Sequence, residues 1–285
     1  MPAVPARRGD GGVRAALATL AADADHENED FAAAAPGVAV LLDGAGVAGA
    51  ETGCSHGVAW FSATLGGLLL SSVTSRPTRP LTDCLAYAID RVRRLHEETC
   101  DLVHRASPTS TVVAVRVCAE AVEYLVLGDS TLLLADKGGA VTAVSDRRLD
   151  EVGRQLRGPL DSLPTGTPEH ARALAEYRDA LTGRRNRPDG FWIAGPDSSA
   201  AEHAFAGTLP RSALASVTLL SDGATRLVDR FELASWRAAL GVISSSGPEE
   251  LIRSVRAAEA DDPDGRRWPR GKAHDDATVL HWVLA

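Results

Sequence analysis

Aspartates stand at the ends of four short apolar runs in this sequence. Asp43 follows the run VAVLL, Asp129 follows YLVLG, and Asp222 follows SVTLLS. The pair Asp275-Asp276 directly precedes the run ATVLHWVL. Short runs rich in Val and Leu, with Gly and Asp at their borders, are typical of buried β-strands. Because strand ends of one sheet or sandwich can meet at one rim, these distant positions could form a single acidic cluster.

A cluster of this kind needs a cation. Two carboxylates about 4 Å apart repel each other by roughly 4 kcal/mol at an effective dielectric constant of about 20. Hard divalent ions such as Mg²⁺ and Mn²⁺ relieve that repulsion and prefer oxygen ligands. The glycine after Asp43 would let a backbone carbonyl approach a second ion. Asp-Gly is also a common turn dipeptide, so spacing alone leaves both interpretations open.

A second chemical signature lies close to Asp43. The letters GCSHG at residues 53–57 match G-x-S-x-G, which in serine hydrolases places a nucleophilic serine on a sharp turn after a strand. The stretch VAGAET ahead of Gly53 is small and irregular, and the run ending at Leu42 stops well before it. Without a strand leading into the turn, we interpret the match at Ser55 as chance.

Charge and composition exclude several classes of protein. With 30 basic and 38 acidic residues the net charge is −8, which argues against nucleic-acid binding because that function needs a basic surface. We find no run of eighteen apolar residues and no apolar segment typical of a signal peptide, so no membrane span is expected. The cysteines show no zinc-type spacing and are interpreted as reduced thiols of a cytoplasmic protein; they are Cys54, Cys84, Cys100 and Cys118.

The rest of the pattern alternates strands with helices. Apolar runs predict strands at 38–42, 111–117, 122–127, 131–134, 140–144, 217–220 and 277–284. Periodicity and capping predict helices at 81–104, 170–181, 230–240 and 248–261, and alanine content predicts one at 13–35. The segment DKGG at 136–139 predicts a hairpin turn. The less periodic segment 157–201 is interpreted as a flap over a site.

Six segments occur in an order that resembles the metal-dependent protein phosphatases of type 2C, the PPM family, in its bacterial form. They are ENEDFA, LLDGAG, STVVAV, LVLGDSTLLL, TLLSDGATRLV and HDDATVLHWVL. The resemblance implies one domain over residues 1–285 with an α+β fold, a four-layer α-β-β-α sandwich with two antiparallel sheets. It also implies two Mn²⁺ or Mg²⁺ ions at one edge, and a third, weaker ion.

The resemblance also implies a role for each acidic residue. Asp43 would bridge both ions, and the Gly44 carbonyl would bind one of them. Asp222 and Asp275 would complete the other site, so that these three aspartates act catalytically through metal-bound water. A hydroxide held between the ions would attack phosphorus in line. Three further residues would assist: Glu29 through water, Asp30 behind the ligands, and Asp129 at the third ion.

The sequence departs from the family pattern at three places. Position 25, where the family has a phosphate-gripping arginine, is Asp25. Position 45, where some members have a histidine, is Ala45, and Asp276 stands where Asn is common. Three arginines of the flap could replace the missing one, although a solvated basic loop would give the same pattern; they are Arg184, Arg185 and Arg187.

The leading hypothesis is a phosphatase of phosphoserine and phosphothreonine in proteins. The missing arginine leaves open a phosphorylated small molecule as substrate, and the departures also leave open a catalytically weak module that only binds. A phosphorylated protein is the expected partner, with no nucleic acid and no membrane. The oligomeric state is not predicted.

Overall fold

The computed structural model describes residues 14–46 and 52–284. Residues 1–13, most of VAGAET and Ala285 lie outside the described residues. The described strands are β1 (Arg14–Leu20), β2 (Phe31–Ala35), β3 (Val38–Leu42), β4 (Gly44–Ala45), β5 (Thr109–Ser110), β6 (Val112–Val117), β7 (Ala121–Leu127), β8 (Thr131–Asp136), β9 (Val141–Val144), β10 (Phe205–Pro210), β11 (Leu214–Leu220) and β12 (Ala277–Val283). The helices are α1 (Gly57–Ser75), α2 (Leu81–His96), α3 (Arg148–Leu156), α4 (Gly158–Asp161), α5 (Pro168–Thr182), α6 (Asp222–Asp229), α7 (Trp236–Ser246) and α8 (Pro248–Asp261).

Two antiparallel five-stranded sheets pack face to face. The first has the order β1-β12-β11-β8-β9 and the second β10-β7-β6-β3-β2, while β4 and β5 form a separate pair. An apolar core lies between the sheets, α1 and α2 cover the outer face of the second sheet, and α7 and α8 cover that of the first. The α+β, four-layer α-β-β-α sandwich with two antiparallel sheets is therefore confirmed.

Strand β3 shows why the strands appear in the sequence as unbroken apolar runs. Val38, Val40 and Leu42 pack with the helices α1 and α2, whereas Ala39 and Leu41 pack toward the other sheet. All five residues are buried. A strand covered on both faces has no solvent side, so the usual alternation of polar and apolar residues disappears.

The strand register brings the ends of several strands to one edge. Leu42, at the end of β3, pairs with Phe31 at the start of β2. Leu220, at the end of β11, pairs both with Val279 near the start of β12 and with Thr131 at the start of β8. The acidic residues that flank these strands therefore lie at the same edge of the sandwich.

The helix predicted over 13–35 is wrong. The described part of this segment contains β1, which pairs with β12, and β2, which pairs with β3. Alanine has a high helix propensity, but that preference amounts to less than about 1 kcal/mol per residue and is overridden by tertiary pairing. The open edge of each sheet supplied that pairing, and it is not visible in local sequence.

Two further element predictions need correction. Helix α2 ends at His96 rather than 104, and the segment 230–240 holds a loop followed by the start of α7. Strand β10 and the helices α1, α3, α4 and α6 were not predicted. Helix α1 is long and apolar enough to cross a membrane by length and composition, with a mean hydropathy of 1.3. It packs instead on the second sheet beside α2, and its apolar composition on several faces hid the helical period.

The segment 157–201 holds α4, α5 and a short 3-10 turn at Ser198–His203. Helix α5 packs against α3 and α4. That the segment 157–201 acts as a flap stays a prediction, as does the single domain over residues 1–285.

Residue Asp276 links the start of β12 to the segment that precedes β2. Its Oδ1 accepts a hydrogen bond from the Ala22 backbone N–H at 2.7 Å, and its Oδ2 accepts one from the Glu29 backbone N–H at 2.7 Å. Both carboxylate oxygens are thus used. The departure from Asn at this position therefore has a structural account, because an amide offers only one acceptor oxygen.

Two adjacent glycines of α1 should respond in opposite directions to alanine. A Cβ at Gly66 would lie 2.2 Å from Phe31 Cδ1, whereas a Cβ at Gly67 would meet nothing within 4 Å. We expect Gly66→Ala to lower the free energy of unfolding by about 1–3 kcal/mol through overpacking. Gly67→Ala should raise it by up to about 1 kcal/mol because alanine favours the helix. Urea unfolding of both variants checks this, and equal effects would contradict the packing of α1 on β2.

The hydrogen bonds of Asp276 predict a graded loss of stability. Asp276→Ala removes both acceptors and should lower the free energy of unfolding by about 1–3 kcal/mol. Asp276→Asn keeps one acceptor oxygen and should lower the free energy of unfolding by less than Asp276→Ala does. The exposed Asp261 at the end of α8 gives the control, Asp261→Ala. If Asp276→Ala unfolds at the same denaturant concentration as wild type, the link is not stabilising.

Candidate metal centre

The aspartates that end apolar runs meet at one edge of the sandwich. The Asp222 backbone N–H donates to Asp43 Oδ2 at 3.1 Å. The Asp43 carbonyl accepts from the Thr111 backbone N–H and the Ser110 hydroxyl, each at 2.9 Å. These contacts fix the end of β3 against the start of β6 and the first residue of α6.

Burial and mutual repulsion disfavour the charged form of three of these acids. Burial, then the charge of Asp222, raises the pKa of Asp43 well above its usual range. The same two causes, in the same order, raise the pKa of Asp129 well above its usual range. The pKa of Asp222 is also raised, by burial and then by Asp275. Each of the three remains partly accessible at the surface, so a cation can reach a cluster that is otherwise enclosed by protein.

Asp275 differs because cations surround it. Lys272 Nζ lies 2.7 Å from its Oδ1, and Arg226 Nη2 lies 3.0 Å from its Oδ2. Burial alone would raise the pKa of Asp275, but the charges of Lys272 and Arg226 outweigh it and hold the pKa below its usual value. Arg226 also pairs with the buried Glu259 at 2.6 Å. One carboxylate of the cluster is thus kept ionised and fixed in position.

Asp30 lies close to Asp222 and Asp276. Both of its carboxylate oxygens are buried, and neither has a geometrically complete hydrogen bond among the described residues. The nearby Ser221 Oγ accepts from the Thr278 backbone N–H, and both the Ser221 and Thr278 hydroxyls favour the ionised form of Asp30. Burial, with the charges of Asp276 and Asp222, raises the pKa of Asp30 to about 8. Burial also raises the pKa of the neighbouring Glu29.

Two glycines allow the backbone to approach closely at this edge. A Cβ at Gly44 would lie 2.6 Å from the Glu29 carbonyl oxygen and 2.6 Å from Val58 Cγ1. A Cβ at Gly223 would lie 2.0 Å from the Asp276 carbonyl oxygen. Any side chain at either position would push apart the segments that bring the carboxylates together.

The donor set fits hard divalent ions. It consists of crowded carboxylates and a backbone carbonyl, which are the ligands that Mg²⁺ and Mn²⁺ prefer. The raised pKa values of Asp43, Asp129 and Asp222 have one cause, which is carboxylates crowded together in a buried setting. A divalent cation would supply the positive charge that such a setting favours.

The three flap arginines make their contacts elsewhere. Arg184 pairs with Asp189 at 2.8 Å, and Arg185 donates to the Ser107 carbonyl at 3.2 Å. The Arg187 carbonyl accepts from the Gly190 backbone N–H at 3.0 Å. A role for Arg184, Arg185 and Arg187 in phosphate binding stays a prediction.

Another cation of the same segment faces the acidic cluster. Arg178, on α5, is partly buried, and its charge acts on Asp275 and Glu29. This residue was missed, as were Lys272, Arg226 and Glu259. Lys272 stands three positions before Asp275 in the sequence, which was an available signal. The other three come from helices whose positions over the site depend on the tertiary fold.

Comparisons with known proteins agree with this geometry. A family model described as protein phosphatase 2C matches residues 21–251. No match was found among curated protein sequences.

Several solved structures share the fold. PppA of Pseudomonas aeruginosa, described as a key regulatory component of T6SS, has a TM-score of 0.56 at 20% identity, covering 96% of this chain and 98% of that one. The serine/threonine phosphatase Stp1 of Staphylococcus aureus has a TM-score of 0.56 at 14% identity, and the match covers 99% of this chain and 100% of that one. The catalytic domain of the serine/threonine protein phosphatase PstP, in complex with two manganese ions, has a TM-score of 0.53 at 15% identity, and the match covers 95% of this chain and 97% of that one.

The resemblance noted in the sequence is therefore confirmed. The family match spans most of the chain and includes Asp43, Asp129 and Asp222. The neighbouring structures share both antiparallel sheets and their helices. This chain belongs to the protein phosphatase 2C family and is a metal-dependent protein phosphatase.

Proposed function

We propose that Asp43, Gly44, Asp222 and Asp275 hold two Mn²⁺ or Mg²⁺ ions and that Asp129 contributes to a third. In this proposal the chain removes phosphate from phosphoserine and phosphothreonine residues of proteins. The observation that carries it is the meeting of buried carboxylates from separate strands at one edge, with too little positive charge beside them. When bound, two ions supply an activated water and neutralise charge on the phosphoryl oxygens.

The residues of the chain prepare the site for this chemistry. Asp43 is oriented by the Asp222 backbone N–H. Asp275 is kept ionised by Lys272 and Arg226, so it can hold a cation without first losing a proton. The raised pKa values of Asp43 and Asp222 mean that protons compete with cations at those two residues. Cation affinity should therefore rise with pH.

The family has a phosphate-binding arginine at position 25, and this chain has Asp25 there. Another cation is therefore needed to bind the phosphate of the substrate. We propose that Arg178 does so. It reaches the cluster from α5, and its charge acts on Asp275 and Glu29. The ion pairs of Asp275 go to Lys272 and Arg226 instead, which leaves the Arg178 guanidinium for a phosphate. A guanidinium suits this task because its donors match phosphate geometry.

Replacement of one ligand should abolish turnover. Asp222→Asn removes a negative charge from the cluster and should lower Mn²⁺-dependent hydrolysis of p-nitrophenyl phosphate by about a hundredfold or more, since loss of an outer-shell partner alone costs about 10–100-fold. Calorimetry should show weaker Mn²⁺ binding by this variant. The matched control is Asp83→Asn, an exposed aspartate of α2. Wild-type turnover that persists in excess EDTA would contradict the proposal.

The two candidates for phosphate binding can be separated by kinetics. Arg178→Ala should raise KM for a phosphothreonine peptide by about 10–100-fold, the equivalent of about 1.5–3 kcal/mol for a charge-assisted hydrogen bond. Arg172→Ala, at an exposed position of the same helix, should leave KM unchanged. If KM rises instead in a triple alanine variant of Arg184, Arg185 and Arg187, the flap loop holds the phosphate and Arg178 does not.

A further inference from the structure

Four metal-binding side chains lie together outside the acidic cluster. Cys54 and His56 come from the loop before α1, His96 is the last residue of α2, and Cys100 follows four positions later. One ligand atom from each of the four lies within 4.8 Å of the others. Cys54 and Cys100 are free thiols, as the sequence analysis expected, but they do not stand alone. Their two histidine partners complete a set that cysteine spacing alone did not reveal.

Four of the six distances between these atoms match the edges of a coordination tetrahedron. The Cys54 and Cys100 sulfurs are 3.4 Å apart, and Cys54 Sγ lies 3.6 Å from His96 Nδ1. His56 Nδ1 lies 3.8 Å from the first sulfur and 3.3 Å from the second. Zn–S bonds of about 2.3 Å and Zn–N bonds of about 2.0–2.1 Å give tetrahedral edges of roughly 3.3–3.8 Å. A disulfide would need about 2.05 Å between the sulfurs, and both cysteines are free.

The surroundings of the histidines favour a bound ion. His96 is only 2% exposed, and its Nδ1 lies 3.6 Å from the Cys54 sulfur. An ion bound to Nδ1 would give this buried nitrogen a strong partner. The His56 ring stacks on Trp60 with 4.3 Å between ring centroids. Trp60 therefore limits the orientations of His56.

We propose that Cys54, His56, His96 and Cys100 bind one Zn²⁺ ion in a tetrahedral site with a structural role. Two thiolates and two imidazoles are the soft and borderline ligands that select Zn²⁺ over Mg²⁺ and Mn²⁺. Four protein ligands leave no open position for a substrate, which is typical of structural rather than catalytic zinc. The chain would thus hold two chemically distinct kinds of metal site.

A zinc ion here would fasten the loop before α1 to the end of α2. The Asp101 backbone N–H already joins these segments by donating to the Gly53 carbonyl at 2.8 Å. The first turn of α1 continues from His56 to Val58, which packs closely on Gly44. The site therefore fixes the helix turn that borders the candidate carbonyl ligand of the catalytic metals.

The test measures metal content of the full chain purified under reducing conditions. Mass spectrometry of the metals should find about one Zn²⁺ per wild-type chain, and a mercurial thiol reagent should release it. Cys100→Ser and His96→Gln should each lose most of this zinc. Cys118→Ser is the matched control, because that partly exposed free cysteine lies outside the cluster, and it should retain the full amount. Chain exchanged with Co²⁺ should show the visible absorption of tetrahedral thiolate-bound cobalt, which does not require any variant to fold.

Three results would overturn the proposal. The first is wild-type protein with far less than one equivalent of zinc after loading and desalting. The second is zinc content that is unchanged in Cys100→Ser. The third is an intact mass showing a Cys54–Cys100 disulfide in place of metal. Asp222→Asn, altered in the acidic cluster, should keep its zinc. Zinc content is therefore tested independently of the phosphatase proposal, and either proposal can fail without the other.

Discussion

Repulsion between carboxylates at one edge of the sandwich is the constraint on which the structure depends. Asp43, Asp129 and Asp222 are each held where burial and their neighbours oppose ionisation. Such an arrangement lowers the free energy of unfolding, so it persists only because the rest of the molecule holds these residues in place. Three apolar layers hold these residues in place: the core between the sheets and the two cores beneath the helices on the outer faces. Burial of apolar side chains thus offsets the cost of assembling like charges.

The cations near this edge are distributed unevenly. Lys272 and Arg226 both contact Asp275, and Arg226 is in turn held by Glu259, which also contacts Arg256 and His274. The side of the cluster formed by Asp43 and Asp129 has no comparable support among the described contacts. One half of the site is therefore electrostatically preorganised, and the other half is left for incoming cations to neutralise.

The sequence predicted the strands that carry aspartates because burial on both faces leaves an unambiguous apolar run, as in β3. It also predicted that their ends meet, since antiparallel neighbours share an edge. It failed where local composition suits two structures. The alanines of β1 and β2 favour a helix in isolation, and the apolar surface of α1 conceals its period. The Cys-His cluster was missed for another reason: His96 and Cys100 are more than forty residues from Cys54 in the sequence, and only the packing of α1 on α2 brings the loops together.

The position of β12 between β1 and β11 has a consequence for synthesis. Residues 277–283 emerge from the ribosome after every other strand of the first sheet. Until then β1 has no partner and β11 lacks one of its two, so both present unpaired backbone edges that invite association with other chains. Contacts between segments so distant in sequence also form slowly. A nascent chain would therefore gain from a chaperone that covers β1 and β11 until the strand between them arrives.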